Sequence, residues 1–161
     1  YGLYDFSLEH NAQINKFGEI YNFIKPSKCT KFDTIIMLNT IHNCFPYNSN
    51  KLINNINYFS NKGCNIIIRY LDRELLNNTF NWHHIDLNNF GYIKKKNNDF
   101  INIFFNWCHT KQHLEYIVSK KDLIELFKNC TIIYEEQKII NYELPSIEKY
   151  FNCFKTIIFR K

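Results

Sequence analysis

The chain has 161 residues, is 45% hydrophobic and 17% aromatic, and carries a formal net charge of +5. That length suits about one domain with a single sizeable core, and the apolar content excludes a disordered chain. No apolar run in these residues approaches the roughly 18 residues of a membrane-spanning helix, and the basic balance is compatible with a nucleic-acid partner.

The chain opens on Tyr1-Gly2-Leu3-Tyr4, which reads as a strand already under way, so the sequence is expected to be an N-terminally truncated part of a longer protein. Ser7 can cap a helix with the stripe Leu8, Ala12, Ile14, Phe17, Ile20, Tyr21 and Ile24, ended by Lys25-Pro26. The run from Phe32 to Leu38 is too apolar for a one-sided strand and is expected in the middle of a parallel sheet. Ser49 then opens a helix carrying Leu52, Ile53, Ile56 and Phe59. Lys62-Gly63 stops it, and Cys64 to Tyr70 forms a second buried strand. Strand, helix, strand at this spacing is the βαβ unit of an open α/β sheet.

The middle of the chain, from about Leu76 to Asn98, is the least regular part and shows no clear core pattern. Phe100 to Phe105 and Leu114 to Val118 are β-rich and can pair as a hairpin. Ser119-Lys120-Lys121-Asp122 caps a helix with Leu123, Ile124, Leu126 and Phe127 on its apolar side. Strands from Thr131 to Ile140 and from Cys153 to Phe159 finish the chain. No repeat, linker or low-complexity tract divides it, so residues 1–161 read as one domain.

Cys29, Cys44, Cys64, Cys108, Cys130 and Cys153 show no metal-type or redox spacing and are expected to be reduced core thiols of a cytoplasmic protein. Cys108, His109 and His113 suggest a metal site, but a hairpin does not bring a His pair at i and i+4 together as a helix would, so no metal is expected. In open α/β sheets ligands bind beyond the carboxyl ends of the strands. That rule selects Asp5 after the first strand, Asn39 to His42 after the second and Tyr70 to Asp72 after the third.

Several segments in this order resemble the mRNA cap guanine-N7 methyltransferases, above all the large capping enzymes of cytoplasmic DNA viruses and related linear plasmids. Gly2-Leu3-Tyr4-Asp5 is similar to the family strand that ends in an acid on the cofactor ribose. Lys31 to Leu38, followed by Asn39-Thr40-Ile41-His42, is similar to its fourth strand and the His beyond it. Phe104-Phe105-Asn106-Trp107 with His113-Leu114-Glu115-Tyr116-Ile117-Val118 is similar to its cap-binding hairpin, and Phe154 to Lys161 to its last, reversed strand. The chain departs from the family in lacking the glycine-rich motif that cradles the cofactor's methionine end. It has Leu38 where Gln is usual, Asn43 where Tyr is usual and Phe154 where Tyr is frequent.

The resemblance implies a Rossmann-like class I methyltransferase open sheet with a reversed C-terminal strand. It implies S-adenosylmethionine as cofactor, contacted by Asp5, Leu38 and Asn39. It implies a capped RNA 5′ end (GpppN) as substrate, contacted by His42, Glu115 and Phe154, with other capping-enzyme domains or subunits as partners. Guanine N7 carries a free lone pair and loses no proton on methylation, so the absence of a Ser/His/Asp or paired-carboxylate constellation fits an enzyme that works by positioning alone. A carboxylate can accept both donors of a guanine edge while an aromatic wall covers the base face, a character that Glu115 beside Tyr116 possesses. Read from the residues alone, Glu115 is an exposed strand residue and Phe154 is core, while Asp5 can also be a helix N-terminal acid and His42 a strand-end residue. Two other functions share these features: a non-catalytic subunit bracing a capping enzyme, and a small-molecule methyltransferase.

Overall fold

The computed structural model describes residues 31–79, 83–86, 91–105, 113–139, 150 and 152–161. The expected first strand with Asp5, the helix after it, and Cys29, Cys108 and His109 lie outside the described residues.

The βαβ unit forms as its apolar periodicity dictates. Strand β1 (Phe32–Leu38) leads through a short 3-10 turn (Ile41–Cys44) to helix α1 (Ser49–Phe59), and strand β2 (Ser60–Leu71) returns parallel to β1. Leu52 and Ile56 are the buried residues of α1, four apart on one face. The helix ends at Phe59 and the chain passes directly into β2, three residues earlier than the Lys62-Gly63 stop suggests. Gly63 instead adopts φ +82 inside β2, where its N–H donates to the Lys161 carbonyl at 2.8 Å.

The first sheet has the order β1-β2-β8-β7, where β7 is Thr131–Glu136 and β8 is Phe154–Arg160. Strand β8 runs antiparallel to both neighbours, so the last strand is inserted in reverse between β2 and β7. One face of this sheet presents Met37, Cys64, Ile66, Ile68, Tyr70, Ile157 and Phe159 to a core completed by Leu52, Ile56, Leu123 and Phe127.

The expectation of a mid-sheet position for Phe32 to Leu38 differs from what is found. Among the described residues β1 is an edge strand, and Ile36 and Leu38 on its second face are 60% and 56% exposed. The sequence showed that both faces of β1 are apolar, but apolarity alone does not say which neighbours cover a strand.

Helix α3 (Lys120–Leu126) is capped as expected. Asp122 N–H donates to Ser119 Oγ at 3.1 Å, and Ser119 N–H donates back to the Asp122 carboxylate at 2.8 Å. Leu123 and Phe127 are buried, whereas Ile124 faces solvent, one position outside the stripe that meets the core.

The middle of the chain departs from its expected irregularity. After helix α2 (Arg73–Thr79), strands β3 (His84–Asp86), β4 (Gly91–Lys95), β5 (Phe100–Phe105) and β6 (His113–Tyr116) form a second, antiparallel sheet in that order. Its inner face carries Ile85, Ile93, Ile101 and Ile103 into a second core with Leu76, Ile117, Tyr150 and Cys153. Strands β3 and β4 each bury one isoleucine, too few for their alternation to stand out. The β5–β6 hairpin pairs Ile101 with Glu115 and Phe100 with Tyr116.

Cys44, Cys64, Cys130 and Cys153 are free thiols, three of them buried, as expected of core cysteines. Among the described residues no helix is long and apolar enough to cross a membrane, and no cluster of His, Cys, Asp and Glu is placed to hold a metal ion.

Candidate functional site

The site forms where the first sheet's parallel strands end and the second sheet's edge strand passes by. At the end of β1, Asn39 takes the left-handed conformation with φ +56, which Asn tolerates better than most residues. Its N–H donates to the Arg69 carbonyl on β2 at 2.9 Å. That turn swings the chain into the 3-10 segment, where buried Ile41 anchors the backbone and His42 follows.

Strand β6 brings Glu115 to the same place. His42 Nε2 lies 3.6 Å from Glu115 Oε1, with the two side chains 22% and 18% exposed. Two residues remote in sequence thus meet in a partly desolvated position, where charge and hydrogen bonds count for more than they do in bulk water.

Tyr150 is buried in the second core, within reach of the Glu115 charge. Burial first, and the Glu115 charge second, push its phenol well above the usual tyrosine range, so it stays protonated and neutral. The Tyr150 ring meets Phe154 edge-on at 5.6 Å, and the Arg69 guanidinium lies 5.3 Å over the Phe154 ring. Phe154, the first residue of β8, pairs with Leu71 at the end of β2. Tyr150, Phe154 and Arg69 therefore form one chain of contacts at the end of the sheet, with Tyr150 within reach of the Glu115 charge.

A second set of contacts fixes the hairpin. Tyr116 stacks on Phe45 at 5.7 Å, tying β6 to the segment that carries His42. Its hydroxyl donates to Asp122 at 3.3 Å, and the Arg73 guanidinium lies 5.8 Å from its ring centre. Arg73 in turn donates to Asp99 and, at 3.0 Å, to Asp122. Burial, then the Asp122 charge, raise the Tyr116 phenol above its ordinary value.

Directly after β2, Asp72 is fully buried. It accepts from Tyr70 Oη at 3.1 Å and from Leu75 N–H at 2.9 Å, and lies 3.6 Å from Lys155 Nζ. Burial and the Asp72 carboxylate together push the Tyr70 phenol far up. Asp72 thereby clasps the ends of β2 and β8 and the start of α2.

Of the residues selected from sequence, His42 and Glu115 are brought into contact, and Phe154 packs against Tyr150, on which the Glu115 charge acts. Leu38 and Asn39 lie at the end of β1, both exposed, three to four residues before His42. Asp5 lies outside the described residues. Sequence reasoning missed Tyr150, Arg69 and Phe45. Arg69 did leave a signal, as a lone charge in the apolar run from Cys64 to Leu71, whereas Tyr150 and Phe45 stand in segments without periodicity.

The sequence matches no protein-family model and no curated protein sequence. Solved structures do match. A methyltransferase from Methanosarcina mazei, described as S-adenosylmethionine-dependent, superposes with a TM-score of 0.53 at 13% identity, over 82% of this chain and 60% of its own. The fold is the Rossmann-like sheet of class I methyltransferases. A Pyrococcus horikoshii protein matches at 0.54 and 17% identity, over 93% of this chain and 67% of its own. An S-adenosylmethionine-dependent methyltransferase from Clostridium acetobutylicum gives 0.51 and 14%, over 91% and 68%. The chain spans about 60% of the length of the first of these. The parallel β1–β2 pair and the reversed β8 accord with this architecture.

Proposed function

We propose that the chain is part of an S-adenosylmethionine-dependent methyltransferase that methylates the RNA 5′ cap guanine at N7 within a larger capping enzyme. The observation that carries this reading is the His42–Glu115 contact at 3.6 Å, formed at the carboxyl end of the sheet by two residues that the cap-methyltransferase resemblance singles out. Phe154, packed edge-on against Tyr150, supplies aromatic surface at the start of the reversed strand.

The residues present fit the cofactor in chemical character. Leu38 offers an exposed apolar side chain where β1 ends, and Asn39 offers an amide in the adjoining turn, at the position where open α/β sheets receive their ligands. When bound, the cofactor supplies an electrophilic methyl group. The protein's own part is positional. Glu115 accepts the guanine ring N–H and amino donors, and His42 fixes the carboxylate's orientation from its far side. The surrounding aromatic rings exclude water and strengthen those bonds. No side chain takes up a proton, because guanine N7 loses none.

The test is binding of a GpppG dinucleotide and of S-adenosylmethionine to the chain and to Glu115→Gln. Glutamine keeps one acceptor but points an amide donor at the guanine's own donors. Cap affinity should fall by roughly thirtyfold to a thousandfold, about 2–4 kcal/mol, while cofactor affinity is unchanged. A change in cap affinity within about twofold, some 0.4 kcal/mol, removes Glu115 as the guanine reader. Equal losses for both ligands reduce it to a structural residue. Methylation of a small molecule with no binding of GpppG places the chain in another methyltransferase class.

A further inference from the structure

The outer face of the second sheet carries an aromatic and basic platform that the cap site does not use. Strand alternation sends Ile85, Ile93, Ile101 and Ile103 inward, so His84, Tyr92, Lys94, Asn102, Phe104 and Leu114 face outward. Their registers place them in two adjacent rows. In one, Tyr92 stands opposite Phe104; in the other, His84, Lys94, Asn102 and Leu114 stand side by side across four strands.

The rings are in contact. Tyr92 stacks on Phe104 at 5.3 Å, and His84 lies 5.3 Å from Tyr92. His84, Lys94 and Leu114 are exposed, and Lys96 is exposed in the turn that follows β4. Asp86 is the one carboxylate on the described strand residues of this face, and it stands opposite Tyr92 in the row next to Lys94. Leu114 belongs to β6, the edge strand that also carries Glu115 on its other side, so the platform begins one residue and one strand edge from the candidate cap site.

We propose that this face binds single-stranded RNA, taking the nucleotides that follow the cap. The choice of RNA rests on the cap reading above; the platform itself rests on its own chemistry. A four-stranded antiparallel face with neighbouring aromatic rings gives bases something to stack on whatever their sequence. Lysines interleaved with those rings meet phosphates, and Asn102 and His84 offer hydrogen bonds to base edges or ribose hydroxyls. Cross-strand pairing alone accounts for the Tyr92–Phe104 contact. It does not account for a His, a Lys and an exposed Leu beside that contact, which leave apolar and cationic surface together in water.

The experiment measures binding of a fluorescein-labelled, uncapped single-stranded oligoribonucleotide by anisotropy, with a duplex of the same sequence as comparison and GpppG measured in parallel. The expected result is a preference for the single strand and an affinity that falls with salt. Phe104→Leu should weaken it by about tenfold or more. Lys94→Glu and His84→Ala, both surface changes that leave the inner core intact, should weaken it several-fold, with the salt dependence reduced in Lys94→Glu. GpppG binding should be the same in all three variants, because the dinucleotide is too short to cross the strand edge. The proposal is overturned if uncapped RNA binds equally to the chain and to Lys94→Glu and His84→Ala. It is also overturned if these variants alter self-association, read by light scattering, and leave RNA binding alone, which makes the face a protein interface. Uncapped RNA bound through the platform, with no GpppG binding, removes the cap reading and leaves the platform standing.

Discussion

Replacing Asp72 probes the joint that holds the candidate site together. Its carboxylate is fully buried, accepts from Tyr70 Oη at 3.1 Å and Leu75 N–H at 2.9 Å, and faces Lys155 Nζ at 3.6 Å. In Asp72→Ala the buried Tyr70 hydroxyl loses its acceptor, which costs about 1–3 kcal/mol. The first turn of α2 loses its cap, which costs about 1 kcal/mol more. Lys155 retains Glu135 at 3.8 Å and is not stranded, so its contribution is small. The total is about 2–4 kcal/mol, reaching the lower end of the range for removing one partner of a buried ion pair. Asp72→Asn keeps the acceptor for Leu75 and should cost about 1–2 kcal/mol, the worth of one charge-assisted bond. Urea unfolding followed by tryptophan fluorescence and by circular dichroism checks both. A loss under about 1 kcal/mol in Asp72→Ala, or equal losses in the two variants, would refute the clasp.

Three further outcomes follow from the contacts and backbone geometry described above. Tyr70 and Tyr150 have folded-state pKa values raised above those of the unfolded chain, so their contribution is complete below pH ~10 and is lost as pH rises beyond it. Stability should then fall by up to about 2.7 kcal/mol per pH unit for the pair, preceded from pH ~9 by the buried thiols Cys64 and Cys153; urea midpoints from pH 8 to 11 measure it, and a flat profile contradicts it. Ser119→Ala removes the capping box of α3 and should cost about 0.5–2 kcal/mol, with Ser119→Asp largely restoring stability. Gly63→Ala meets no steric obstacle, because nothing lies within 4 Å of the added Cβ, so its cost is the backbone strain of φ +82 alone, about 1–2 kcal/mol by thermal unfolding.

What the sequence disclosed and what it hid divide along physical lines. Strand β1, helix α1 and the capped helix α3 were legible because each is governed by local rules, namely an apolar run, a 3.6-residue stripe and a reciprocal cap. The hairpin of β5 and β6 was legible for the same reason. Strands β3 and β4 were not, since one inward isoleucine apiece gives no period to detect. Among the described residues β1 stands at a sheet edge, which composition does not encode because a strand's neighbours are set by chain topology. Within the candidate site, His42 and Glu115 were found separately, but nothing local announces that they touch. Tyr150 stands in a segment without periodicity, and only its burial in the second core marks it.

The reversed strand β8 has a kinetic consequence. Arg160 Nε reaches Asn65 Oδ1 across 95 residues of chain, and the whole of β8 pairs with β2 over separations of that order. Local pieces such as α1, α3 and the β5–β6 hairpin can form quickly, but this closure cannot, because its loop entropy is lost before any of its hydrogen bonds form. Until it happens, β2 is a bare edge that displays the run Cys64-Asn65-Ile66-Ile67-Ile68, with no proline or charge to discourage a second molecule. Refolding yield is therefore expected to depend steeply on protein concentration, with the strand that completes the sheet also setting how long the chain is open to aggregation.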